Sequence, residues 1–308
     1  MENATKKHYK RYKPPFTWRT VTRKIFPVAV WSLLLIWTIV FLAQLLWGLV
    51  TSVKSDWGFY IDPIFFPKGK EMWQFSNYAV AFKNIRVQIT NTETAGFFRM
   101  LVNSLLFTVG NAFLSVLTAA LASYILAKYN RIRWVGALWA IVLITNYLPI
   151  SSSTAANIKL LNDLGLFDSM LGNWLWSCGA FGAVFLMYYA SWKGLSWGYA
   201  EAAFIDGAGH FRTMWQIMLP MTRTIFGVLF LMQFITLWND YMTPLIYLPS
   251  FPTLSYGAWL LQYTTNYETA DITVKIAGLL LIAFPVFVLF MCFKEKLMGS
   301  LTIGGLKG

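Results

Sequence analysis

The sequence feature that decides the fold is a polar stretch between two apolar blocks, Glu201-Ala-Ala-Phe-Ile-Asp-Gly-Ala-Gly-His-Phe-Arg-Thr-Met-Trp-Gln-Ile-Met-Leu-Pro220. It predicts two short helices with a glycine joint. Ser196 is placed to cap the first helix and Gly207 to Gly209 to end it, because glycine tolerates the left-handed backbone of many helix ends. The second helix should present two faces. Its apolar face comprises Phe211, Met214, Trp215 and Met218, and its polar face comprises Arg212, Thr213 and Gln216.

The composition around this stretch is that of a membrane protein. The 308 residues are 57% hydrophobic and 12% charged, which is more apolar than a soluble domain requires. The apolar residues come in blocks of about twenty, the length that crosses about 30 Å of hydrocarbon as a helix. The sequence does not show the short alternating strands that are typical of a transmembrane barrel. The sequence therefore predicts an all-α, multi-pass membrane protein.

We predict six transmembrane helices. They cover residues 25–50, 100–127, 134–150, 173–192, 222–247 and 274–293. The corresponding division of the chain is a basic tail (1–24), the first transmembrane helix (25–50), an extracytoplasmic segment (51–99), a core domain of five transmembrane helices (100–293) that includes the 194–221 loop, and a C-terminal tail (294–308).

The distribution of basic residues predicts the orientation. The net charge is +12, and most of the 25 lysines and arginines lie in the N-terminal tail, the turn after the second helix, the stretch 193–223 after the fourth helix and the C-terminal tail. This excess marks the cytosolic side, so both termini and the 194–221 loop should be cytosolic. The charge is explained by topology, and no nucleic-acid partner is expected. Cys178 and Cys292 lie in apolar runs and indicate neither a disulfide framework nor a metal site.

Two positions outside the apolar pattern could serve function. Asp240 is the one carboxylate well inside an apolar run, about 27 Å along a helix that starts at Thr222. It could lie at the mouth of a substrate path or a subunit interface, or be an interfacial residue beside a Trp238 membrane anchor. His210 could dock to a cytosolic partner or be a solvated side chain. With two histidines in the chain, no metalloprotease motif is present, and a serine-hydrolase elbow is also missing.

The opening stretch also carries a resemblance. Its spacing of Glu201-Ala-Ala, three residues, Gly207, nine residues, Ile217, one residue and Leu219-Pro220 resembles the EAA loop of ABC-importer inner-membrane permeases. The form Glu201-Ala-Ala-Phe-Ile-Asp-Gly-Ala208 is similar to the maltose-type, carbohydrate-uptake branch, and the chain looks like the shorter of that branch's two paired permeases. Further similarity lies in Asn103-Ser104, Leu148-Pro149, Leu164 to Ser169, Trp238-Asn-Asp240 and the tail from Gly299 to Gly308.

The resemblance implies the ABC type I importer permease fold and a coupling helix that sits in a groove of an ATPase subunit. The ATPase-coupling residues would be Glu201, Ala202, Ala203, Asp206, Gly207, Ala208, Gly209, His210, Leu219 and Pro220. Trp238, Asn239 and Asp240 would lie on the substrate path or at the permease interface. We expect a bulky residue at Gly207 to uncouple transport because the joint should admit no side chain.

The resemblance also implies partners: a second permease, two ATPase subunits, an extracytoplasmic sugar-binding protein and the lipid bilayer of a bacterial or archaeal cytoplasmic membrane. The chain has no phosphate-binding loop, so we expect it to bind no cofactor, with ATP and magnesium on the ATPase subunits. An ABC permease for a non-sugar solute is an alternative. A secondary transporter driven by an ion gradient is another, although it predicts several ionisable residues near mid-membrane.

Overall fold

The computed structural model describes residues 18–130, 132–147, 153–179, 182–263 and 271–301. Residues 1–17 and 302–308 of the two tails, and the Leu148-Pro149 motif, lie outside the described residues. The described part of the chain is dominated by helices, as expected where a bilayer leaves each backbone polar group to be satisfied within its own segment. The all-α class is therefore confirmed.

The helices follow in chain order. They are α1 (Trp18–Ser52), α2 (Asp56–Ile61), α3 (Asn77–Asn84), α4 (Phe97–Lys128), α5 (Arg133–Tyr147), α6 (Thr154–Asp163), α7 (Met170–Ser177), α8 (Gly182–Gly194), α9 (Gly198–Ile205), α10 (His210–Arg212), α11 (Leu219–Met221), α12 (Arg223–Trp238), α13 (Met242–Tyr247), α14 (Leu254–Tyr263) and α15 (Ile272–Leu301). The remaining elements are a 3-10 turn (Lys70–Met72), a π-helical turn (Thr213–Met218) and a two-stranded antiparallel hairpin of β1 (Val87–Gln88) and β2 (Thr94–Ala95).

Within the described ranges, two helices are by themselves long and apolar enough to cross a membrane, Ile25–Ser52 and Phe97–Lys128. Two further pairs qualify if each pair is one bent span: α7 with α8, and His210–Met221 with α12. Arg133–Thr145 and Ile272–Val288 are apolar but shorter than 18 residues. The number of six transmembrane helices stays a prediction.

Helix α4 lies at the centre of the bundle. It packs against α5, α7, α8, α12 and α14. Gly110 allows α7 to approach closely, because a Cβ at this position would lie 2.1 Å from the indole nitrogen of Trp174. Nearer its N-terminal end, Asn103 donates its amide N–H to the Pro252 carbonyl (3.0 Å), and the Ser104 hydroxyl accepts the N–H of Leu254 (2.8 Å). Small and polar residues of this kind hold helices together in lipid.

The fifth predicted span is broken, which corrects the expectation of one helix over residues 222–247. Helix α12 ends at Trp238 and α13 begins at Met242. Pro244 has no N–H to donate to the Asp240 carbonyl four residues earlier, so a continuous helix would lose that bond. The Asp240 carbonyl instead accepts the hydroxyl of Ser255 (2.8 Å). The proline is thus a sequence signal for the break.

Candidate functional site: the 194–221 loop and the α12 cleft

Helix α9 begins one residue later than a cap at Ser196 predicts, because Trp197 is its N-cap residue and makes no side-chain capping bond. The hydroxyl of Ser196 accepts the N–H of Gly198 (3.2 Å), which satisfies one of the free donors of the first turn. The residue between them, Trp197, packs its ring against Phe204 on the last turn, with 5.9 Å between the ring centroids. These contacts fix the entry of the chain into α9.

The end of α9 is a two-bond cap built around Gly207. This glycine has a φ of +82°, and its N–H donates to the Phe204 carbonyl (3.0 Å). The N–H of Ala208 reaches the Ala203 carbonyl (2.9 Å). This pair of bonds is the Schellman motif, in which a left-handed residue terminates a helix. The prediction that glycine ends the first helix is confirmed.

The expectation that Gly207 has no room for a side chain is wrong. A Cβ built at this position meets nothing within 4 Å. What restricts the position is its backbone: a left-handed conformation costs an L-residue about 1–2 kcal/mol. The sequence thus correctly predicts Gly207 as the joint, but the reason is its backbone conformation and not a lack of space for a side chain.

The second half of the loop differs from the predicted two-faced helix. Thr213 is fully buried, whereas Phe211 is 74% exposed and stacks on the exposed Trp215 with ring centroids 6.3 Å apart. Met218 is buried as expected. The π-helical turn explains the difference, because a wider turn changes the angular spacing on which a 3.6-residue pattern relies.

The residues predicted to couple to an ATPase divide into an exposed set and a buried one. The exposed set comprises Glu201, Ala202, Asp206, Gly207, Gly209, His210 and Pro220, the partly exposed residues are Ala208 and Leu219, and Ala203 is buried. Leu219 and Pro220 lie in α11, just before the chain bends by 72° at Thr222 into α12. The small and acidic side chains of α9 thus face outward from the bundle.

Ile205 is an apolar side chain that the sequence analysis missed. It is 87% exposed at the last position of α9. It lies four residues after Glu201, so the two share a helix face. That i, i+4 relation was visible in the sequence and is the signal that could have identified Ile205. An exposed isoleucine thus lies between two exposed acidic residues, Glu201 and Asp206.

His210 is held by the bundle. Its Nδ1 shares a 2.8 Å hydrogen bond with the hydroxyl of Tyr129, the residue that follows the last turn of α4. Its ring also packs against Phe204, with 4.7 Å between the centroids. Tyr129 contacts the ring of Trp197 as well, and Lys128 donates to the Leu195 carbonyl. Tyr129 therefore joins the end of α4 to the start of α9 and to the first residue of α10, a role that sequence reasoning missed.

The three residues predicted to lie on a substrate path fall at the break after α12. A cleft of about 620 Å³ opens there between α12, α14 and α15. Trp238 and Asn239 line it, together with Tyr241, Trp259 and Gln262. The rings of Tyr241 and Trp259 stack with centroids 5.6 Å apart. The residues that line the cleft are mostly apolar, with a few polar side chains among them.

Asp240 is engaged in capping. Its carboxylate Oδ1 accepts the N–H groups of Met242 (2.9 Å) and Thr243 (3.0 Å), which are free donors at the start of α13. It is not among the residues that line the cleft. The structure therefore brings Trp238 and Asn239 together at the cleft and gives Asp240 a position beside it.

Two known permease proteins are similar to this chain in sequence over most of its length. The chain is 26% identical over 281 residues to the diacetylchitobiose uptake system permease protein NgcG of Streptomyces coelicolor, covering 89% of this chain and 86% of that protein. It is 27% identical over 243 residues to the arabinooligosaccharides transport system permease protein AraQ of Bacillus subtilis, covering 77% and 80%.

A similar fold has been solved in a bacterial ABC transporter involved in the import of the acidic polysaccharide alginate. The TM-score is 0.68 at 20% identity, and the match covers 92% of this chain and 99% of that one. The permease fold that the EAA spacing implies is therefore confirmed. Residues 120–297 match the family of binding-protein-dependent transport system inner membrane components, and because this is more than half of the 308 residues, the chain belongs to that family.

Proposed function

We propose that this chain is a permease subunit of an ATP-driven, binding-protein-dependent ABC importer that moves an oligosaccharide across the cytoplasmic membrane by alternating access. The observation that carries the proposal is the exposed face of α9, which is capped at Gly207 and held to the bundle by Tyr129. The relatives named for diacetylchitobiose and arabinooligosaccharide transport support the substrate class.

The proposed assembly contains a second permease, two ATPase subunits and an extracytoplasmic sugar-binding protein. ATP and magnesium belong to the ATPase subunits, since this sequence has no phosphate-binding loop. An orientation with both termini in the cytosol is supported by the basic residues of the tails and by Lys193, Arg212 and Arg223 in and beside the 194–221 loop. In this orientation α9 faces the ATPase subunits.

We propose two routes by which a movement of α9 is transmitted to the membrane helices. The first follows the backbone: α9 packs on the π-helical turn, and the chain then bends at Thr222 into α12. The second is the side-chain contact from His210 to Tyr129 at the end of α4. Helices α4 and α12 pack along each other. Closure of the ATPase subunits would therefore tilt both helices and change the cleft that α12 lines.

We propose that the cleft is part of the sugar path. Sugar rings present C–H groups that suit aromatic faces, and the stacked pair of Tyr241 and Trp259 supplies such a face. Asn239 and Gln262 can bond to hydroxyl groups, which matches the usual ligand site of apolar walls with few polar groups. Trp238 also lines the cleft. Specificity would rest mainly on the sugar-binding protein.

The test of the proposed function is co-purification followed by an activity assay. The tagged chain should retain the second permease and the ATPase subunits encoded with it. In proteoliposomes, the binding protein loaded with an oligosaccharide should stimulate ATP hydrolysis and sugar uptake, whereas the unloaded binding protein should not. A chain that retains no ATPase subunit, or whose uptake follows an ion gradient without ATP, would refute the proposal.

The contact between Tyr129 and His210 gives a first prediction. Tyr129→Ala should lower the sugar transported per ATP hydrolysed several-fold, because it removes the hydrogen bond and the ring that join α4 to α9. Tyr129→Phe keeps the ring and should have a smaller effect, since one hydrogen bond contributes about 0.5–1.5 kcal/mol. The ratio of uptake to ATP hydrolysis in proteoliposomes measures both. Equal ratios in wild type and Tyr129→Ala would show that the contact carries no coupling.

Asp240 gives a second prediction. Asp240→Ala removes the cap of α13, at a cost of about 0.5–2 kcal/mol, and should lower uptake while ATPase association is unchanged. Asp240→Asn retains a side-chain oxygen that can accept the same N–H groups and should keep most of the uptake. Uptake assays and co-purification of the ATPase subunits are the measurements. Loss of association in Asp240→Ala would contradict the separation of the cleft from the 194–221 loop.

A further inference from the structure

A short turn of residues 62–66 follows α2 and is held in place by several hydrogen bonds. We call this turn the outer loop. The carboxylate of Asp62 accepts the N–H groups of Ile64 (3.2 Å) and Phe65 (2.9 Å). The Phe65 bond is the main cause that lowers the pKa of Asp62, so the carboxylate is charged at neutral pH. The Asp62 carbonyl in turn accepts the amine of the buried Lys54 (2.7 Å). The loop is thus built into the protein.

The outer loop presents apolar side chains that the described part of the chain leaves uncovered. Ile64 is 67% exposed, Phe65 67% and Phe66 64%. Exposed Lys68 and Lys70 follow directly. Three consecutive large apolar residues at a loop tip, with basic residues beside them, mark an interaction surface.

One hydrogen bond places this surface at a defined depth along α1. The indole N–H of Trp47 donates to the Pro63 carbonyl (2.7 Å). Trp47 lies five residues before Ser52, the end of α1, which corresponds to about 7.5 Å along the helix. The outer loop therefore lies beside the last turns of α1 instead of projecting away from the end of the helix.

Those turns belong to the layer where a bilayer meets water. The apolar part of α1, Ile25–Ser52, has 28 residues, or about 42 Å of helix, whereas the hydrocarbon core is about 30 Å thick. Its ends therefore reach the headgroup layers, where tryptophan is enriched. Within the described residues, positions 25–47 of α1 are all exposed, including the Trp47 that contacts the outer loop, whereas Thr51 and Ser52 at the end of the helix are buried.

We propose that the outer loop inserts Ile64, Phe65 and Phe66 into the outer leaflet, between headgroups and acyl chains, with Lys68 and Lys70 at the lipid phosphates. The surface continues the outward-facing apolar surface of α1, and its aromatic, aliphatic and basic residues are those of an interfacial membrane anchor. The loop fixes the outer end of α1 in the bilayer. The inference is independent of which solute the protein carries.

The proposal is tested by the depth of a fluorescent probe in the assembled complex. Phe65→Cys and Phe66→Cys are each labelled with NBD in a background carrying Cys178→Ser and Cys292→Ser, and the complex is placed in nanodiscs of phosphatidylcholine and phosphatidylglycerol. The control is Asn91→Cys in the exposed polar turn between β1 and β2. Lipids with a nitroxide near the headgroup should quench the two loop probes at least twofold more than the control.

Two further quenching measurements decide whether lipid or a protein partner covers the outer loop. Quenching of the loop probes should persist when the sugar-binding protein is added, and Lys68→Gln with Lys70→Gln should weaken the increase in quenching that phosphatidylglycerol causes. Equal quenching of the loop and control probes would overturn the proposal. So would loss of quenching in the full complex relative to the chain alone, because a protein partner would then cover the loop.

Discussion

Replacing Ile205 by aspartate is expected to abolish retention of the ATPase subunits by the permease. Ile205 is 87% exposed on the face of α9 that also carries Glu201, so it is the side chain most available to enter an apolar groove of a partner. Burying an isoleucine contributes about 1.5–3 kcal/mol, which corresponds to roughly tenfold to a hundredfold in affinity. Aspartate loses that contribution and adds a carboxylate whose desolvation opposes binding.

The measurement is the amount of ATPase subunit that co-purifies with the tagged permease, followed by uptake in proteoliposomes. Ile205→Val is the matched control, since it keeps an apolar side chain and should retain most of the ATPase. Both variants should insert into the membrane, because the side chain makes little contact with the bundle. Normal association of Ile205→Asp would show that α9 does not dock through this face.

Local signals in the sequence predict the end of α9 at Gly207 and its start to within one residue. Ser196 and Gly207 act through bonds that span two to five residues, and such bonds follow from residue type and spacing. The break after α12 was also accessible, since Pro244 forbids a backbone bond four residues earlier. Because the apolar pattern continues through the break, hydropathy alone predicts one helix there. Hydropathy indicates which residues favour the lipid interior, but it does not indicate where a helix is interrupted.

Contacts between distant parts of the chain were not accessible in this way. Tyr129 and His210 are 81 residues apart, and neither residue type alone indicates that they meet. The cleft likewise depends on α12, α14 and α15 coming together, although Trp238 and Asn239 were singled out on its edge. Thr213 was misplaced because the π-helical turn departs from the regular spacing that a single sequence suggests. Tertiary packing decides all three.

Replacing Gly207 by valine is expected to uncouple ATP hydrolysis from uptake while the protein still inserts and assembles. Space is not the obstacle, since a Cβ at this position meets nothing within 4 Å. The obstacle is the φ of +82°, which a β-branched residue adopts only with strain. Relief of that strain breaks the two capping bonds from Gly207 and Ala208. Helix α9 would then lose its fixed orientation relative to His210. Movement of α9 by the ATPase subunit would bend the chain at residue 207 and would no longer be transmitted to the membrane helices.

Asparagine supplies the matched control, because it is larger than alanine yet tolerates the left-handed conformation that ends many helices. Gly207→Asn should therefore keep most of the uptake, and Gly207→Ala should fall between the two. The sugar transported per ATP hydrolysed, measured at equal amounts of assembled complex, ranks the three variants. A loss that followed side-chain size, with asparagine as damaging as valine, would place the cause in contact with the ATPase instead. Normal coupling in Gly207→Val would contradict the role of this joint, since the strain would then be tolerated without consequence for transport.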